Sequence, residues 1–476
     1  MRRTKIVTTL GPASNNLEVL SQMVAAGVNV VRLNFSHGTS EEKKSLVDVI
    51  HQAAKDQGKT VGILADLQGP KIRVAKFKNG KVNLEENAIF TLDATFAKDA
   101  GDENTVGIDY KELPNDVSSG DTLLLNDGFI VLVVEKVVAT RIICRVKVGG
   151  VLSNNKGINR QGGGLSAGAL TDKDREDIKT AVLLGVDYIA ISFVRSKTDV
   201  EETKDLIAKT GGHAQVIAKI ERIEAVIPEI LQEIIKASDG LMVARGDLAV
   251  EIGDAEVPAA QKMMIEYCRA LNKPVITATQ MMESMIHNMV PTRAEVSDVA
   301  NAVFDGTDAV MLSAETASGE HPVVVVQAMD RICLAAEKQP HSLDKKDHYR
   351  PVFYDCTEAI AKAVVCIVNH FKVKIVVCLT ETGTTALLVS RMRLGTPIYG
   401  FSNNRVALGR MTLYRDVYPI EFDILKFKNN IEIKKAVIEK LLQLNLVQSR
   451  DLVVVTSGGD IGVAGKTDSL TLLNVD

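Results

Sequence analysis

Short runs rich in β-branched residues recur at 5–9, 29–35, 61–66, 187–193, 215–220, 240–244, 274–279 and 308–312, with helix-length amphipathic segments following them. Parallel strands need a crossover long enough to hold a helix, so this alternation predicts a parallel α/β fold. Eight such units are the number that closes into a (β/α)8 TIM barrel. Their spacing is regular except between 66 and 187, where far more chain intervenes than one helix requires. From about 69 to 170 the pattern changes to alternating strands and tight turns, with Asp127-Gly128 at a hairpin position, which predicts an inserted small all-β domain.

Beyond the eighth unit, 340–351 is polar and charged with prolines at its ends and reads as a linker. Alternation then restarts: a helix at 357–371, strands at 374–379, 397–401, 417–421 and 451–456, and a helix of period 3.6 at 430–444. The expected organisation is a barrel from 1–69 and 171–340, an inserted β-barrel lid from 70–170, and a C-terminal open α/β regulatory domain from 341–476. A chain of 476 residues fits this division, because single cores stop growing near ~250–300 residues.

Lys plus Arg (56) nearly balance Asp plus Glu (60), and apolar content is ordinary, so neither nucleic acid nor membrane is an expected partner. The six cysteines form no C-x-x-C pair and no zinc-like spacing, and they read as reduced thiols. A strand-like run begins at Lys5, leaving no room for a signal peptide, and a cytoplasmic location is expected.

Catalytic side chains in such barrels come from the carboxyl ends of the strands. The second run ends in Arg32, Asn34 and Ser36, which alternation assigns to one face; the fifth ends in Lys219 and Glu221, and the sixth runs into Arg245 and Asp247. Asp66, Thr279-Gln280 and Ser313 to Thr316 close three others. Any one of these charges alone reads as a structural rim ion pair, but six charged or polar strand ends around one mouth suit an anionic, metal-bound substrate.

The stretches TTLGPAS (8–14), VRLNFSHG (31–38), DLQGP (66–70), AKIE (218–221), MVARGDL (242–248), TATQMMESM (277–285), PTRAE (291–295) and MLSAET (311–316) occur in an order that resembles the pyruvate kinase family over the whole chain. The resemblance implies transfer of the phosphoryl group of phosphoenolpyruvate to ADP, giving pyruvate and ATP, the last step of glycolysis. It implies Glu221 and Asp247 as ligands of Mg2+ or Mn2+, Lys219 as the group that stabilises the phosphoryl in flight, and Arg32 as a phosphate grip. Ala244, Arg245, Gly246 and Asp247 match the cradle of the substrate carboxylate. Thr279 matches a residue near the enolate carbon, and Ser313 with Glu315 match part of a proton route. Asn34, His37, Arg73, Asp127 and Lys156 match nucleotide-side positions, although Asp127 reads equally well as a turn former. Gly69-Pro70 is the expected hinge of the lid, and 162–166 reads as linker rather than phosphate loop.

Asn34, Ser36, Asp66 and Leu67 match family potassium positions, but Lys71 stands where many relatives carry Glu, so activity without K+ is expected. Ala249 and Ala314 replace family glycines, with little consequence expected. Thr380, Glu381, Thr382, Gly383, Thr384 and Thr385 match an effector-phosphate loop opening a helix, against the plainer reading of helix capping by Thr. Allosteric activation by a sugar phosphate or nucleotide monophosphate follows, with the Gly-rich 457–467 closing over the ligand, and a homotetramer is implied. The alternatives are another Mg2+-dependent barrel acting on phosphoenolpyruvate or pyruvate, and a catalytically inactive phosphometabolite sensor.

Overall fold

The computed structural model describes residues 1–126, 128–339, 355–459 and 465–476. Eight parallel strands close into a barrel in sequential order, and we number them β1 (Lys5–Thr9), β2 (Val30–Asn34), β3 (Gly62–Asp66), β4 (Tyr188–Ile191), β5 (Gln215–Ile220), β6 (Gly240–Ala244), β7 (Val275–Ala278) and β8 (Ala309–Leu312). All eight fall where the β-branched runs predict them. Between β3 and the helix Asp172–Leu183 lies the inserted unit, with a six-stranded and a two-stranded sheet. It is not purely β: a one-turn helix, Leu113–Asp116, begins with proline near its start.

Alternation along each barrel strand sorts the core. Ile6, Ile63, Val216, Leu241 and Val310 point outward and pack under the helices, whereas Val7, Leu64, Ile217, Met242 and Met311 point inward. Helices are placed against this wall by local signals. Capping boxes open Ser40–Asp56 (Thr39 with Glu42), Asp172–Leu183 (Thr171 with Asp174) and Arg293–Asp305 (Thr292 with Glu295). Each such cap is worth ~1 kcal/mol.

The C-terminal sheet runs Val417–Glu421, Ile398–Ser402, Val373–Leu379, Leu452–Gly458, Thr467–Asn474, the last strand antiparallel. Its apolar residues join the inward-facing barrel residues in one cluster, so this unit covers the amino-terminal ends of the barrel strands. The opposite end stays open. The expected linker at 340–351 lies outside the described residues.

Candidate active site

Continuing the inward column of each strand by two residues turns the barrel interior from apolar to charged. Arg32 stands above Val30, Asp66 above Leu64, and Lys219 above Ile217. The ring closes through side chains. Lys219 Nζ lies 2.9 Å from Glu221, 3.2 Å from Asp66 and 2.7 Å from Ser192 Oγ. Arg32 donates from Nε to Asp66 Oδ2 at 2.6 Å and from Nη1 to Thr9 Oγ1 at 3.0 Å.

Burial opposes the Lys219 ammonium, but the carboxylates of Asp66 and Glu221 outweigh it and raise its pKa, so the group is held charged. Burial likewise opposes ionisation of Asp66, yet Lys219 and Arg32 hold its carboxyl below the usual range. Glu221 goes the other way: burial pushes it up, Lys219 offsets part of this, and the nearby charge of Asp247 adds to the rise. Two carboxylates close enough to disturb one another in this way suit a divalent cation. Among the described residues no cluster of three or more His, Cys, Asp or Glu could hold an ion alone. The carboxylate oxygens of Glu221 and Asp247 are donors of the kind a hard cation takes, with substrate oxygens and water able to complete its shell.

Asp247 lies in the first turn of Arg245–Ile252, a helix whose N-cap, Ala244, offers no side-chain cap. Its first-turn amides therefore receive no side-chain cap from that residue. Gly246 N–H donates to Thr279 Oγ1 at 2.9 Å, and that hydroxyl donates to the carbonyl of Ala278 at 2.7 Å. Thr279 has φ 68° and Gln280 φ 54°, a costly conformation for a β-branched residue. Arg245 holds it there, donating to the carbonyls of Ala278 (3.2 Å) and Thr279 (2.7 Å) while pairing with Asp298 at 2.7 Å.

Ser313 and Glu315 follow β8. The carboxyl of Glu315, pushed up by burial, accepts the amides of Ser313 (2.6 Å) and Met282 (3.2 Å), so it braces the backbone. Asn34 ends β2 and its Oδ1 accepts the Ser36 amide at 3.0 Å. Ser36 is therefore in a turn and does not share the strand face with Arg32 and Asn34, because the strand stops before alternation can carry it there. His37 is exposed beside it. The Leu67 carbonyl accepts from Ser192 Oγ at 2.8 Å.

The inserted unit approaches through Lys71, whose ammonium lies 2.8 Å from Asp247 Oδ1. Arg73 and Lys156 sit side by side at its base: Arg73 donates to the Asn155 carbonyl at 2.9 Å and bridges to Gly157. Asp127 lies outside the described residues. In the C-terminal unit, 380–382, 384–385 and 465–467 are among the residues that line a cavity of about 190 Å3; Gly383, outside that lining, donates its N–H to Thr380 Oγ1 at 3.0 Å, and the Thr385 and Thr467 hydroxyls are 2.7 Å apart. Residues 460–464 of the expected closing segment lie outside the described residues.

Two ring members were missed from sequence, Thr9 and Ser192. Both were legible, since each stands two residues beyond an inward residue of its strand, Val7 and Ala190.

Comparison with known proteins gives one answer. Residues 1–326 match the family model for the pyruvate kinase barrel domain and 358–473 that for the pyruvate kinase alpha/beta domain. Pyruvate kinase II of Salmonella typhimurium is 50% identical over 479 residues, covering 100% of this chain and 99% of that protein. The pyruvate kinase of Haemophilus influenzae is 49% identical over 96% of both chains, and that of Thermotoga maritima 41% over 100% of both.

Proposed function

The chain belongs to the pyruvate kinase family, and from that premise we propose which of its residues move a phosphoryl group from phosphoenolpyruvate to ADP. The family generally uses Mg2+, which when bound neutralises phosphate charge. Glu221 and Asp247 would hold it, with Lys71 leaving Asp247. Arg32 and Lys219 bind the phosphate, and Lys219, already charged inside the ring, offsets the charge spread over the phosphoryl oxygens in transit. The first-turn amides at Gly246 and Asp247, with Thr279 Oγ1, receive the substrate carboxylate once the Gly246–Thr279 and Thr279–Ala278 hydrogen bonds give way to it. Ala244 and Arg245 position that turn. Thr279 lies beside the carbon to be protonated, and Glu315 orients Ser313 in the proton route. No covalent nucleophile is required.

Residues 70–170 act as a lid that excludes water, with Asn34, His37, Arg73, Asp127 and Lys156 on the nucleotide side. Lys71 supplies the positive charge that a monovalent cation would bring to the Asn34, Ser36, Asp66 and Leu67 region, so K+ is not required. Assay in a buffer whose only monovalent cation is bulky should leave activity intact; a collapse restored by KCl would contradict this. The cavity at 380–385 receives a sugar phosphate or nucleotide monophosphate that activates a cytoplasmic homotetramer. If neither class shifts the phosphoenolpyruvate saturation curve, that part fails.

The observation that carries the proposal is the buried Lys219 ammonium between Asp66 and Glu221. Pyruvate formation from phosphoenolpyruvate and ADP with Mg2+ tests it: Lys219→Met should lose at least ~10³-fold in kcat while still binding substrate. A wild-type chain inert with Mg2+ and both effector classes would favour the sensor reading.

A further inference from the structure

The chain leaves the barrel at Gly69 and returns along 162–167, and the two limbs are held differently. Gly69 N–H is fixed by Asp174 Oδ1 at 3.1 Å, at the start of a barrel helix remote in sequence from the metal-side residues. On the returning limb, three consecutive carbonyls are taken by guanidinium groups. Arg222 donates to Leu165 at 3.0 Å and to Ala167 at 3.5 Å, and Arg195 to Ser166 at 3.1 Å. Glu224 Oε1 accepts the Gly164 amide at 2.8 Å, and the Glu251 carbonyl accepts that of Gly162 at 3.4 Å. The limb's other side belongs to the inserted unit: Ser166 N–H donates to Asp116 at 2.9 Å and its hydroxyl lies 2.9 Å from that of Tyr110.

The clamp is tight. Gly163 has φ 72°, and a Cβ there would meet Ile223 Cγ2 at 2.5 Å. Arg222 is 2% exposed, and its buried Nε has no hydrogen-bond partner. Burying a guanidinium this way is costly, and an apolar side chain would fill the space more cheaply; what Arg222 adds is a two-pronged hold on backbone oxygens. Its position in the chain gives that hold a use. Arg222 directly follows Glu221, and Glu251, whose Oε2 accepts the Ile223 amide at 2.9 Å, lies one helical turn past Asp247. Arg222 and Glu251 thus connect the Glu221–Asp247 pair to the limb through the backbone and these contacts.

We infer that Arg222 is a positioning residue that links occupancy of the Glu221–Asp247 pair to closure of the inserted β unit. This rests on the reading of 70–170 as a lid. The test is amide hydrogen exchange on the full chain, with and without Mg2+ plus phosphoenolpyruvate, in wild type, Arg222→Gln and Arg222→Lys, alongside the half-saturating Mg2+ for turnover. Wild type should gain protection at 162–167 and in the inserted unit when both ligands are present. Arg222→Gln should lose that gain and need at least about tenfold more Mg2+, with kcat at saturating Mg2+ changed less. Arg222→Lys should keep part of both. Equal ligand-dependent protection and equal Mg2+ half-saturation in wild type and Arg222→Gln overturns the inference alone. Absence of protection in wild type overturns the lid reading and this inference with it, whereas wild-type turnover reports separately on the enzyme assignment. If Arg222→Gln does not fold, Glu224→Gln, which weakens the hold on Gly164 and removes a charge that faces Arg222, is judged by the same criteria.

Discussion

The two rims of the barrel are both charged, yet only the carboxyl rim is left uncovered by the C-terminal unit. At the amino-terminal rim Lys5, two residues below the inward Val7, is 1% exposed, donates to the Val417 carbonyl and sits 4.4 Å from the centre of the Tyr418 ring. Asp308 is held by Arg391, Arg415 lies 3.9 Å from Glu337, and Asp187 Oδ2 accepts the Ile63 amide at 2.8 Å. The C-terminal unit seals this layer. At the carboxyl rim Asp66 and Glu221 are 2% exposed at the side chain, but Lys219 is 12%, Lys71 24% and Asp247 23% exposed, so this layer is not sealed. Burial pushes Lys5 down to about 7 and Asp187 up to about 7, so perturbed titration does not by itself mark the active site. The distinguishing property is whether the ion pairs are sealed from solvent, as around Lys5, or remain accessible, as between Lys71 and Asp247.

The largest expected effect on stability breaks the sealed rim. A Cβ at Gly409 would meet Asp187 Oδ1 at 1.8 Å, so Gly409→Ala should cost ~3 kcal/mol in urea unfolding. An unchanged urea midpoint would mean that the C-terminal unit does not bear on the barrel as described. Next, Lys71→Met removes the ammonium from Asp247. Activity in a buffer with only a bulky monovalent cation should fall about tenfold and recover in part with KCl, a change of ~1.4 kcal/mol. Equal activity would remove Lys71 from the account.

The smallest effect sharpens the comparison through pH. Asp187 is raised from an unfolded value of 3.8 to about 7, burial being the main cause, with the Ile63 hydrogen bond and the charges of Arg405 and Arg410 opposing. Its folded form therefore binds a proton that the unfolded form has released, so its cost is absent below the unfolded value, grows as pH rises, and is complete above pH ~7. Asp187→Asn should gain melting temperature relative to wild type between pH 5 and 8, and a gain that shrinks over that range would contradict the sign.

Much of this was legible in the sequence for a physical reason. Parallel barrel strands are buried on both faces, so each is a dense β-branched run, and period two then names the rim residues. Arg32, Asp66 and Lys219 follow from that rule, as Thr9 and Ser192 would have. The C-terminal helix Arg405–Met411 and strand Thr467–Asn474 were not read, the first being only two turns long and the second half-exposed along an edge. Contacts set by closure of the fold were also out of reach. Lys71 meets Asp247 across 176 positions, and Arg222 holds a limb 57 positions away.

The account stands or falls on two buried lysines measured side by side. In one buffer with Mg2+, phosphoenolpyruvate and ADP, Lys219→Met should lose at least ~10³-fold in kcat while staying folded without urea. Lys5→Met should keep kcat within about twofold. If both variants lose activity alike, or if Lys219→Met retains it, the carboxyl rim is not the seat of the chemistry.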